Sequence, residues 1–125
     1  MSGDARNVLI VESNRTSAFT LEFLFAQNGY RVILSHTGED ALERFAAGPF
    51  ALAVINARLP YRSGYELCQI MTGRESPTKV ILLLDSDAGP EREKARAMGA
   101  SAWFAKPYSP KDLIRSAALL LGGTA

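Results

Sequence analysis

Four short aliphatic runs punctuate the chain: Val8-Leu9-Ile10-Val11, Val32-Ile33-Leu34, Leu52-Ala53-Val54-Ile55 and Val80-Ile81-Leu82-Leu83-Leu84. A fainter fifth is Ala102-Trp103-Phe104-Ala105. Each is continuously apolar rather than alternating. Runs of this kind predict strands buried on both faces, as in a parallel sheet covered by helices. Between them the apolar residues follow a helical period instead. Ala18, Leu21, Leu24 and Phe25 share one face of a helix expected over Thr16–Gln27, with Gly29 as a left-handed stop.

The second helix is expected to start at Thr37, with Asp40 three residues on and Ala41, Leu42 and Phe45 as its apolar residues. Ser63 and Glu66 form a capping-box pattern for the third. Gly89-Pro90 opens the fourth, which ends near Gly99, and Ser109-Pro110 opens the fifth, which reaches Gly122. Proline suits a first helical position because its missing amide hydrogen would be unpaired there anyway. Five strand–helix pairs in strict alternation imply an α/β fold, a (βα)5 three-layer sandwich with right-handed crossovers. Chemistry in such folds lies at the C-terminal ends of the strands, near the reversal of strand order.

Composition narrows the picture. At 125 residues the chain fits one domain, with a core expected over about residues 7–121. Apolar residues make up 47% and charged residues 22%, the balance of a globular protein with a real core. With 14 basic and 13 acidic residues the net charge is +1, which offers no electrostatic basis for binding nucleic acid or an anionic membrane. Cys68 is the one cysteine, so no internal disulfide can form and a reducing compartment is expected. Met1–Asn7 is polar and lacks the apolar stretch of a signal peptide, and no segment is long enough to span a bilayer, so a cytoplasmic location is expected.

The strand ends carry the chemistry-bearing residues. The first strand runs into Glu12-Ser13-Asn14. The third ends in Asn56 followed by Ala57-Arg58-Leu59-Pro60. The fourth meets Asp85-Ser86-Asp87, and the fifth meets Lys106-Pro107-Tyr108. This constellation resembles the response-regulator receiver family of two-component signalling, over nearly the whole chain. Val8-Leu9-Ile10-Val11-Glu12-Ser13 is similar to the family's first strand and acidic pair. Thr37-Gly38-Glu39-Asp40-Ala41-Leu42 is similar to the start of its second helix. Asn56-Ala57-Arg58-Leu59-Pro60, with Ser63-Gly64, is similar to its phosphoacceptor loop. Gly99-Ala100-Ser101-Ala102-Trp103-Phe104-Ala105-Lys106-Pro107-Tyr108 is similar to the approach to its fifth strand and lysine.

The resemblance implies a receiver fold with strand order 2-1-3-4-5 and a cis bond between Lys106 and Pro107. It implies protein partners: a histidine kinase, an output domain or a second copy of the chain. The surface implied is that of the fourth helix, fifth strand and fifth helix, with Trp103 at the family's mobile aromatic position and Tyr108 beside it. The departures are equally specific. The acidic pair is Glu12 and Ser13, and Asn56 stands at the phosphorylated aspartate. Counting back from Lys106 without a gap places the family's hydroxyl switch on Leu84, whereas a short shift places it on Ser86.

Transfer of a phosphoryl group to a carboxylate needs an anionic oxygen, which a carboxamide lacks. It also needs a divalent cation to neutralise phosphoryl oxygens, and magnesium prefers carboxylate ligands. The degenerate set Glu12, Ser13 and Asn56 is therefore expected to bind Mg²⁺ weakly or not at all, and no other cofactor is expected. A direct Glu12–Lys106 ion pair is expected in its place, with Asn56 as a bridge.

The pocket is expected to comprise Glu12, Ser13, Asn56, Arg58, Leu84, Asp85 and Lys106, with Asp85 and Asp87 read as solvated loop residues rather than substitute acceptors and Arg58 as exposed. Cys68 reads as a core residue and His36 as no ligand. Trp103 serves equally as core or as signalling residue. The charged fourth helix reads as a solvated face with i,i+3 and i,i+4 pairs. The function expected is a non-enzymatic, atypical receiver acting through protein contacts without phosphorylation at Asn56. The alternative is an active phosphoreceiver using another acid such as Asp85. A small-molecule binder or enzyme on a similar three-layer fold is disfavoured, because Glu12-Ser13-Asn14-Arg15 has no glycine to form a phosphate loop.

Overall fold

A computed structural model describes residues 6–73 and 76–122; of the polar N-terminal stretch, Met1–Ala5 lie outside it. The elements alternate as β1 (Asn7–Val11), α1 (Arg15–Gln27), β2 (Arg31–Ser35), α2 (Gly38–Ala47), β3 (Leu52–Asn56), α3 (Gly64–Met71), β4 (Lys79–Leu84), α4 (Gly89–Ala97), β5 (Ala102–Ala105) and α5 (Pro110–Leu120). The five strands form one parallel sheet in the order β2-β1-β3-β4-β5. The chain starts in the middle, moves to one edge, then returns past β1 to build the other side. The reversal lies between β1 and β3, where the two strand ends open beside each other.

Because successive side chains on a strand face opposite ways, each central strand feeds two cores. Val8, Ile10, Leu52, Val54, Ile81 and Leu83 pack against Leu21 and Phe25 of α1 and Leu113 and Ala117 of α5. Leu9, Val11, Ala53, Ile55, Val80, Leu82 and Leu84 pack against α2, α3 and α4 through Ala41, Leu67, Cys68, Met71 and Ala95. Continuous apolar runs correctly mark β1, β3 and β4 as buried on both faces. They mislead for the edges: β2 alternates between exposed and covered positions, with Ile33 38% exposed, and β5 is only half-buried. An edge strand has a neighbour on one side only, so its outer positions cannot be fully covered.

Helix starts follow local hydrogen bonding. Asn14 accepts from the Ser17 amide, Thr37 from Asp40 and Ser109 from Asp112, each satisfying an orphan donor of the first turn. The first helix begins one residue earlier than expected because the cap is Asn14. The capping box at α3 does not form. Ser63 Oγ accepts from the Tyr65 amide at 3.1 Å, and Glu66 turns outward to Arg62. Gly29 and Gly99 take φ of +89° and +96° where the first and fourth helices end. On α4, Arg96 pairs with Glu93 at i,i+3, while Arg92 reaches back to Asp87 ahead of the helix.

Gly64 positions the site. A Cβ there would lie 2.1 Å from the Asn56 carbonyl oxygen and 2.7 Å from Ala57 Cα, so α3 presses directly on the end of β3. Gly64→Ala is expected to lower unfolding stability by about 2–3 kcal/mol through enforced backbone displacement, as measured by urea denaturation. Gly89→Ala, with open space around its Cβ, serves as the control.

Candidate functional site at the strand ends

The two-residue period of the strands carries one set of polar groups to the same place. Ile10, Val54, Leu83 and Phe104 all belong to the layer beneath α1 and α5. Two residues beyond each lie Glu12, Asn56, Asp85 and Lys106. Leu84, expected in the pocket, does not line it: it has the opposite parity and is fully buried in the other layer with Ile55 and Val11, away from the polar groups.

Asn56 is the centre of the cluster. It is 7% exposed, beside Glu12 at 3%. Its Nδ2 donates to Glu12 Oε1 at 2.9 Å and Oε2 at 3.0 Å. Its Oδ1 accepts from the Arg58 amide at 3.0 Å and from Lys106 Nζ at 2.9 Å. Glu12 Oε2 also accepts from the Asn14 amide at 3.1 Å. Lys106 Nζ donates onward to Asp85 Oδ1 at 3.0 Å, and Asp85 Oδ2 pairs with Arg58 Nε at 2.5 Å. The result is a continuous path from Glu12 through Asn56, Lys106 and Asp85 to Arg58.

The expected direct Glu12–Lys106 ion pair is therefore not what holds the pocket. Asn56 stands between the two and takes both, the amide hydrogens serving the carboxylate and the carbonyl serving the ammonium. The anion on Lys106 is Asp85, whose side chain stays 39% exposed to solvent while it pairs there. Arg58 is exposed as expected, its side chain at 82%, yet it folds back onto Asp85. The cluster holds two acids and two bases, so Asp85 balances a charge that the strand-end residues singled out by sequence had left neutral to positive.

Ser13 is half-buried where the resemblance implies a second carboxylate. Ser86 Oγ accepts from the Ala88 amide at 3.0 Å and so shapes the loop into α4. His36 Nδ1 lies 3.1 Å from the Glu12 carbonyl, tying the end of β2 to that of β1. The Lys106–Pro107 bond is cis. Tyr108 is half-buried; burial, with the negative charge of Glu12, raises its phenol above the ordinary range. Trp103 is half-buried against the α2–α4 layer, and the Arg96 guanidinium lies 5.7 Å from its ring centroid. Cys68 is buried in the core, where desolvation pushes its thiol up to about 12. In the loop before α3, Tyr61 is fully exposed with φ of 68°.

The donor set can be tested against the divalent cation that the receiver resemblance implies. A hard dication seeks several anionic oxygens. Here the buried carboxylate of Glu12 already accepts both Asn56 amide contacts, and positions 13 and 56 supply a hydroxyl and a carboxamide. No group of three or more His, Cys, Asp or Glu side chains gathers into a metal-holding cluster among the described residues. Of positions 12, 13 and 56, only Glu12 brings an anionic oxygen.

A family model for the response regulator receiver domain matches residues 8–118. The chain belongs to that family. It is 32% identical over 120 residues to an uncharacterized transcriptional regulatory protein, YkoG, of Bacillus subtilis, covering 94% of this chain and 53% of that protein. It is 27% identical over 117 residues to response regulator MprA of Mycobacterium tuberculosis, covering 94% and 51%. The chain thus spans about half the length of these curated relatives. Among solved structures, the receiver domain of Francisella response regulator 1452 superposes with a TM-score of 0.87 at 24% identity, covering 93% of this chain and 96% of that one. The BeF3-activated DrrB receiver domain gives 0.84 at 27% identity, covering 92% and 96%. Among the described residues no helix is long and apolar enough to cross a membrane.

Two tests follow from the geometry. Asn56→Asp replaces a donor to Glu12 with a second anionic oxygen in a buried place. It is expected to cost about 2–4 kcal/mol at neutral pH by urea denaturation, less where acid protonates one of the facing carboxylates. Asp85 behaves oppositely with pH. The hydrogen bond from Lys106 holds its carboxyl below the ordinary 3.8, aided by Arg58 and opposed by slight burial. Its contribution is full above that ordinary value and is lost as pH falls through the lower folded one. The stability gap between the parent and Asp85→Asn is therefore expected to be constant from about pH 7 to 5 and to close below about pH 4. Thermal melts across that range check it.

Proposed function

We propose that the chain is an atypical receiver whose signalling state is set without phosphoryl transfer at position 56, and that it acts through protein–protein contacts. The observation that carries this reading is the commitment of Asn56. Its nitrogen faces Glu12 and its oxygen accepts from Lys106 and the Arg58 amide, so the position has neither a nucleophilic anion nor free acceptor capacity. The partner is a protein, by the family's logic a histidine kinase, an output domain or a second copy. The surface of α4, β5 and α5 is the face for it, with Trp103 and Tyr108 at or beside its edge. Mg²⁺ is not required to hold this site, since Lys106 already neutralises its anions. Net charge near zero argues against nucleic-acid binding by this domain, although the relative YkoG is named an uncharacterized transcriptional regulatory protein.

One observation favours a second reading. Asp85 is a carboxylate beside Lys106, the arrangement an alternative acceptor would need. Incubation with labelled acetyl phosphate and Mg²⁺ separates the two. The parent chain is expected to acquire no hydroxylamine-labile label; stoichiometric label that Asp85→Asn abolishes would establish the alternative. In the same assay Mg²⁺ is expected to leave Trp103 fluorescence unchanged in the parent. It is expected to quench it in the double variant Ser13→Asp, Asn56→Asp, which restores the carboxylates a dication seeks.

A further inference from the structure

Asp85 lies one residue past β4, at the head of the loop Ser86–Ala88 that leads into α4. Its carboxylate receives two cations from two other loops. Lys106 follows β5 and approaches Oδ1 at 3.0 Å; Arg58 follows β3 and approaches Oδ2 at 2.5 Å. Three strand ends thus converge on one carboxylate. The loop beyond it is otherwise held by short-range contacts. The Ala88 amide donates to Ser86 Oγ, Arg92 donates back to the Asp87 carbonyl, and Ala88 offers no side chain to cap α4. The β5 end is tied to the same place by the Lys106 amide, which donates to the Leu84 carbonyl at 2.9 Å.

From this convergence we infer that Asp85 is a tethered anion: a positioning residue that supplies, from within the chain, the negative charge on Lys106 and Arg58, and so locks the loop into α4 in one arrangement. Lys106 lies 2.9 Å from the neutral Asn56 Oδ1, and its anionic partner among the described residues, Asp85, belongs to the loop. Moving the loop therefore means uncovering a cation. The lock is part of the covalent chain, so it is engaged whenever the domain is folded and needs no donor, nucleotide or metal. It also connects the strand-end cluster to the surface: α4 starts four residues after Asp85 and carries Arg96, whose guanidinium lies over Trp103 of β5. The state of the α4–β5 face is then set by a residue rather than by a ligand.

This deepens the reading above and rests on it for its signalling meaning, because a domain that accepted a phosphoryl group would receive its anion from outside. The closing experiment leaves that reading aside: it measures the lock, whereas labelling by acetyl phosphate measures the acceptor, and either can fail alone. Amide hydrogen exchange is followed by NMR in the full chain for the parent, Asp85→Asn, Lys106→Met and the double variant. Asp85→Asn keeps the shape and removes the charge. It is expected to speed exchange at the Ala88, Arg92 and Lys106 amides by roughly three- to tenfold while leaving Leu9 and Val54 in the central strands unchanged. Lys106→Met is expected to do the same, and the double variant to add little to either, as for two ends of one contact. Exchange that is unchanged at those amides, that speeds equally throughout the sheet, or that adds independently in the double variant overturns the inference.

Discussion

A carboxamide can do what a carboxylate cannot: present a donor and an acceptor at once from the same planar group. Everything at the strand ends depends on that property of Asn56. Below it lies an almost wholly buried acid, Glu12, which must be given hydrogen-bond donors to remain there. Above it lies an ammonium, Lys106, which must be given acceptors. Asn56 satisfies both without changing the net charge, its nitrogen turned down and its oxygen turned up. The orientation is enforced from a second direction, since the Arg58 amide also points at Oδ1 and would clash with a flipped amide. The side chain is thus a neutral spacer between opposite charges.

The fold delivers these groups through one geometric rule. The sheet separates two apolar layers by alternation, and the polar residues appear where strands of the same parity run out of cover. Glu12, Asn56, Asp85 and Lys106 extend the α1/α5 layer by one step beyond its last apolar residue. Gly64 completes the arrangement by letting α3 close on the end of β3, so that the backbone carrying Asn56 has no room to shift. Packing and polar chemistry are therefore not separable here: the sheet register that buries Val54 and Leu83 also sets the spacing of the hydrogen-bonded path.

Much of this was legible along the chain. Continuous apolar runs mark the three central strands, glycines mark the ends of three helices, and serine or threonine marks three of the five helix starts. The lysine, the asparagine and the glutamate could be assigned to one edge because each ends a strand or follows one directly. What was not legible depended on distances between loops. Asp85 sits in a polar run with Ser86 and Asp87, and composition alone makes such a run look like solvent-exposed loop. Its parity with Leu83 separates it from Ser86, and its place directly after β4 separates it from Asp87; both signals are visible once strand phase is considered. The Glu12–Lys106 contact differs for a related reason: opposite charges at two strand ends suggest direct pairing, whereas β3 and β4 lie between β1 and β5 and Asn56 of β3 stands between the two charges. The edge strands are less covered than their apolar runs suggest, because hydropathy reports what a residue prefers, not how many neighbours its strand has.

Leu84 carries a final implication. It ends the same strand that Asp85 follows, yet its side chain is sealed in the opposite layer with Ile55 and Leu82. A branched aliphatic group in that place is an anchor without a handle: it can be gripped by packing but not tugged by any group above the sheet. Traffic between the polar edge and the helical surface must therefore run along the main chain from one residue to the next, and the domain behaves less like a relay of side chains than like a hinge with its pin already driven in.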